Sequence, residues 1–103
     1  LGVFHPFCRT HSSGDHGEQE PWSFDAEVID ITRKFVELRY KLLPYLYTMF
    51  WDYVNDGVPM LKPLVYFDQE DIQTHYRTDE FLFGNQILVC PILEPNAQGR
   101  RMY

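Results

Sequence analysis

Leu38-Arg39-Tyr40-Lys41-Leu42-Leu43-Pro44-Tyr45-Leu46-Tyr47-Thr48 lies at the centre of the longest patterned segment of the chain. Around it Val28, Ile31, Phe35, Leu38, Leu42, Tyr45, Met49 and Tyr53 advance by three or four residues, the spacing of one helix face. Ile29, Val36, Tyr40, Leu43, Tyr47, Phe50 and Val54 widen that face. Asp30, Lys34, Glu37, Lys41, Thr48, Asp52 and Asn55 form a narrow polar stripe, with Asp30–Lys34 and Glu37–Lys41 at i,i+4. The spacing predicts a helix from Ala26 to Asn55. Asp25 is its N-cap, Glu27 sits at the positive end of the dipole, and Gly57 is the stop. Pro44 cannot donate to the carbonyl of Tyr40, so a kink near Leu42–Pro44, or a restart with Pro44 at N1, is expected.

Thirty helical residues span about 45 Å, whereas a compact domain of 100 residues has a radius of gyration of only about 13 Å. The rest of the 103 residues cannot cover a helix that is apolar on most of its circumference. The chain therefore reads as a piece of something longer. Its composition, 45% hydrophobic and 17% aromatic, is globular. A net charge of -6 and a pI of 5.0 argue against nucleic acid or anionic membranes as partners. Arg33, Lys34, Glu37, Arg39 and Lys41 interrupt the helical segment, so no stretch approaches the roughly 20 apolar residues that span a bilayer. Cys8 and Cys90 are too few for a disulfide framework.

After Gly57 the pattern changes to strands. Pro59–Phe67 reads as a strand at an edge or rim, because its prolines remove ladder donors. Asp68–Asp71 is a polar turn. Phe81–Gly84 leads into Gln86–Leu93, a continuous apolar run expected to be a strand buried on both faces. Arg100–Tyr103 reads as the start of the next strand. The fold class is α/β.

Before the helix, Phe4–Trp22 packs three imidazoles, a thiol, a guanidinium and three acids between proline and glycine turn formers. A solvated connector is the simplest reading of such a loop. A metal-binding or interaction module is another, since His5, Cys8, His11 and His16 supply ligand types and Asp15 an oxygen, although their spacing fits no common zinc signature. A hydrogen-bonding wall for a polyol is a third. If Phe7–His11 is a strand, Arg9 and His11 point to one side, and Phe7 and Trp22 offer rings to flank a sugar. Cys8 with His11 as a nucleophilic pair, or two of Asp15, Glu18 and Glu20 as a carboxylate pair, are weaker possibilities.

The segments Gly2–Ser12, Gln19–Trp22, Leu38–Thr48 and Phe81–Leu93, taken in order, resemble glycoside hydrolase family 31, the α-glucosidase/α-xylosidase family. The resemblance implies a (β/α)8 catalytic barrel followed by a β-sandwich. Residues 1–57 would be the end of the barrel, its last strand and long final helix, and residues 58–103 the start of the sandwich. By motif match His11 would contact hydroxyls of the cleaved sugar, with Arg9 in an orienting role and Glu20 and Trp22 structural. The family's two catalytic aspartate motifs are absent, and Trp51-Asp52-Tyr53 does not replace them because it lies on the predicted helix. The implied whole is a retaining α-glycosidase acting on an α-glucoside or α-xyloside, with no metal or other cofactor. This chain would contribute substrate binding and no catalytic residue, and would be inactive without the N-terminal part of the enzyme. Cys8 and Thr10 around Arg9, Lys62 in place of arginine, and Cys90 before Pro91 depart from the common family pattern.

Overall fold

A computed structural model describes residues 1–103, which divide into two compact units, Gly2–Thr48 and Leu1 with Met49–Tyr103. Helix α1 spans Ala26–Asp56. It begins as its sequence dictates, with Asp25 Oδ1 accepting the amide of Val28 at 2.9 Å and Glu27 in the first turn. It ends where glycine takes the left-handed conformation: Gly57 has φ +70° and donates to the carbonyl of Tyr53 at 3.1 Å. The ion pair on the helix is Asp30–Arg33 at 3.1 Å, in place of the expected Asp30–Lys34 and Glu37–Lys41 pairs. Both partners are well exposed, so the pair contributes under about 1 kcal/mol.

The helix runs through Pro44 without a break, and the expected restart does not occur. Proline removes one rung, but apolar periodicity continues on both sides, and the Thr48 hydroxyl donates to the Pro44 carbonyl at 3.1 Å. Leu46 and Met49 are buried, whereas Ile31, Phe35, Val36, Tyr40, Leu43, Tyr47, Phe50, Trp51, Tyr53 and Val54 stay exposed. Most of the apolar circumference thus has no cover within the chain, as the length argument requires. No helix is long and apolar enough to cross a membrane.

In the first unit, residues before α1 form two single 3₁₀ turns, Gly2–Phe4 and Pro21–Ser23, joined by irregular chain. The last barrel strand anticipated there is not a regular strand. A parallel barrel strand draws its hydrogen bonds from neighbours on either side, and this chain contains none of them.

The second unit is built on a three-stranded antiparallel sheet in the order β1 (Leu61–Lys62), β2 (Phe81–Phe83), β3 (Ile87–Val89). Leu61 faces Phe83 across one ladder, and Phe81 and Phe83 face Val89 and Ile87 across the other. Gly84, at φ +67°, turns the β2–β3 hairpin and donates to the Met60 carbonyl at 2.8 Å. Phe83 is fully buried, and Leu64 and Val89 are buried in the same unit.

Two strand expectations are corrected here. Pro59–Phe67 supplies an edge strand of only two residues, and Leu64–Phe67 folds into a short helix, α2. Pro63 ends the ladder because it has no N–H, and its carbonyl accepts the amide of Tyr66 at 3.0 Å to start the turn. Gln86–Leu93 is a strand only over Ile87–Val89, and it lies at an edge of the sheet rather than buried on both faces. Ile87 and Leu88 are half-buried, and Ile92 and Leu93, flanking no ladder beyond Pro91, are exposed. Asp68–Asp71 is the expected turn, with Asp68 Oδ1 accepting the amides of Glu70 and Asp71, each at 3.1 Å.

Arg100–Tyr103 forms no strand and instead closes a buried polar network. The Glu80 carboxylate, wholly inaccessible, accepts the Tyr103 amide at 3.2 Å and the Cys90 thiol at 3.2 Å. Arg100 reaches it at 3.5 Å and Arg77 at 3.6 Å, while Arg100 also pairs with Asp79 at 2.6 Å. Burial, followed by the hydrogen bond to Glu80, pushes the Cys90 thiol up to about 11. Lys62 is buried too, with its ammonium donating to Asn85 Oδ1 and lying 5.3 Å from the Tyr66 ring centroid.

Candidate functional site

The N-terminal segment is held in place by a side chain from α1. Arg39 donates from Nη1 to the carbonyls of Val3 (2.8 Å) and His5 (2.7 Å), and from Nη2 to that of Pro6 (2.9 Å). The His5 amide closes the first 3₁₀ turn onto the Gly2 carbonyl at 3.0 Å. Gly2 also leaves room for the Cys8 thiol, since a Cβ there would meet Cys8 Sγ at 2.8 Å.

Beyond this clasp the chain doubles back. Gly14 and Gly17 take φ +77° and +73°, and the His16 amide donates to the Gly14 carbonyl at 3.0 Å. The return brings Gly17, Glu18, Gln19 and Glu20 opposite Thr10, His11 and Ser12 around an open hollow of about 400 Å³. The acids are held by nearby donors. The Ser23 hydroxyl donates to Glu18 Oε2 at 2.9 Å, and Glu20 Oε2 accepts the Gln19 amide at 3.1 Å. The hollow therefore sets an imidazole, two hydroxyls and two carboxylates around one space. Such a set donates to and accepts from a polyhydroxylated ligand.

His11 is thus gathered with Glu18 and Glu20, but Arg9 and Phe7 do not line the hollow. Arg9 is exposed, and so are Phe7 (75%) and Trp22 (73%). His5, Cys8, His11 and His16 do not converge: no group of three or more His, Cys, Asp or Glu side chains is placed to hold a metal ion, which leaves the metal-module reading without support. Cys8 is an exposed thiol resting against Gly2, and nothing joins it to His11 as a nucleophilic pair. A hollow of about 380 Å³ in the second unit is walled largely by Leu64, Phe67, Leu82, Leu88 and Tyr103 and offers no acid–base pair.

Arg39, in the sequence a charge within an apolar run and part of the family motif, has a role that the sequence reading does not assign. The signal was present: its neighbours one turn away on α1 are Phe35, Val36, Leu42 and Leu43. A guanidinium placed among apolar neighbours gains from acceptors on another segment.

Residues 1–49 match the glycosyl hydrolases family 31 TIM-barrel domain, and residues 57–103 match the glycosyl hydrolase family 31 C-terminal domain. The chain belongs to glycosyl hydrolase family 31. Among the family's members it is 37% identical over all of its 103 residues to alpha-glucosidase 2 of Bacillus thermoamyloliquefaciens, covering 13% of that protein. It is 38% identical to an alpha-xylosidase of Saccharolobus solfataricus over 98% of this chain and 14% of that one. The solved family 31 dextranase of Flavobacterium johnsoniae, complexed with glucose, superposes with a TM-score of 0.87 at 40% identity, over 93% of this chain and 12% of the dextranase. The chain spans about an eighth of the length of these relatives.

Proposed function

We propose that this chain is part of a retaining α-glycosidase that releases terminal α-linked glucose or xylose, and that its contribution is one wall of the sugar pocket. In this reading residues 1–57 complete the catalytic barrel and residues 58–103 begin the β-sandwich that follows. The observation that carries the proposal is the hollow around His11, lying in a segment similar to the barrel domain of enzymes named for α-glucosides and α-xylosides. A loop at the carboxyl end of a barrel strand is where such folds hold substrate.

Within the pocket His11 bonds hydroxyls of the sugar whose linkage is cut. Its two ring nitrogens can donate to one hydroxyl and accept from another. Arg9 and Phe7 do not line the hollow, and their parts, orienting neighbouring groups and flanking the sugar ring, belong to the assembled pocket of the complete enzyme. The chemistry belongs to two aspartates supplied by the N-terminal part of the enzyme, one attacking the anomeric carbon and the other protonating the leaving oxygen. His11 assists by hydrogen bonds that strengthen as charge builds on the ring. In the complete enzyme, His11→Ala should lower kcat/KM by about one to three orders of magnitude. Kinetics near wild type would remove His11 from the site.

A further inference from the structure

Arg39 bonds to acceptors 33 to 36 residues away in sequence and to none within its own helix. Its three acceptors belong to the segment that leads directly to Arg9 and His11. We infer that Arg39 is a positioning residue for the sugar-binding loop, fixing from α1 the place where His11 stands without itself touching substrate. This rests on the reading of His11 as a sugar contact.

The geometry favours positioning over general support. The 3₁₀ turn ends at Phe4, and no strand follows it at Pro6. Its ring fixes its own φ and restricts His5, so the peptide held by the guanidinium is a stiff one. Two residues later Cys8 packs against a glycine that has no space for a side chain. His11 is then three residues on, so only a short stretch of chain separates the anchored segment from the imidazole. The planar guanidinium serves Val3 and His5 from one nitrogen and Pro6 from the other. The single ammonium of lysine cannot span that fork.

The test is a double-mutant cycle in the complete enzyme, with p-nitrophenyl α-glucoside as probe, joined to hydrogen exchange of residues 3–12. Arg39→Ala should lower kcat/KM about a hundredfold, the scale of a misplacement near 1 Å. Arg39→Lys should recover only part of the loss. Amides of residues 3–12 should exchange faster in both variants while those of Phe81–Val89 do not change. In a His11→Ala background, Arg39→Ala should cost less than about threefold more, because the contact it positions is already gone. A second hundredfold loss in that background would overturn the inference, as would unchanged exchange in residues 3–12. If Arg39→Ala does not fold, Arg39→Lys takes its place in the cycle. A His11→Ala enzyme with wild-type kinetics overturns the reading of His11 instead, and the exchange rates then decide separately whether Arg39 holds the loop.

Discussion

Replacing Glu80 with Gln keeps the shape of the side chain and removes the charge on which four groups converge. The wild-type carboxylate is fully buried and accepts from the Tyr103 amide and the Cys90 thiol, with Arg100 and Arg77 at 3.5 and 3.6 Å. An amide of the same shape offers one acceptor oxygen and turns an NH₂ toward donors. Removing one partner of a buried ion pair costs about 3–5 kcal/mol. Arg77 is a third exposed and Arg100 about a fifth, so water recovers some of that loss, which places the expected cost near 3 kcal/mol. At about 1.4 kcal/mol per tenfold, amides that exchange through opening of this unit should speed up by roughly two orders of magnitude. The assay is hydrogen exchange across Phe81–Val89 and at Tyr103 in the complete enzyme, with residues 3–12 as an internal control. Rates within about twofold of wild type at both places would refute the argument, because a solvated surface charge behaves in that way.

Two more outcomes follow from single residues. Gly57→Ala meets no atom within 4 Å but must hold φ at +70°, so it should destabilise the end of α1 by about 1–2 kcal/mol through strain alone, seen as faster exchange over the last helical turn. Cys90 keeps its proton to about 11 in the folded chain against an ordinary 9.0, so the unfolded chain releases the proton first as pH rises. Stability should be insensitive to this group below pH 9 and fall between pH 9 and 11, and at pH 8 iodoacetamide should label exposed Cys8 well before Cys90.

What was legible in the sequence was local. The helix, its Asp25 cap and its glycine stop follow from spacing and from single side chains, and the structure has all three within a residue of expectation. Asp68 as a turn former belongs to the same class. Strand extent was not legible, because it depends on a partner: β1 stops where Pro63 withdraws its donor, and β3 lasts only as long as β2 faces it. The apolar run Gln86–Leu93 suggested a doubly buried strand because periodicity counts carbon and not neighbours. At the site, His11 was marked by motif, whereas the return of Glu18 and Glu20 to its side depends on two glycines with positive φ far along the loop. The network around Glu80 gave no local sign, since its members come from residues 77 to 103 and meet only through the hairpin.

The most direct test is a crystal structure of the complete enzyme, its nucleophile disabled, with an intact α-glucoside bound. The account predicts a sugar hydroxyl about 2.7–3.2 Å from a ring nitrogen of His11. A glycoside seated in the barrel with that imidazole turned away to solvent would contradict it.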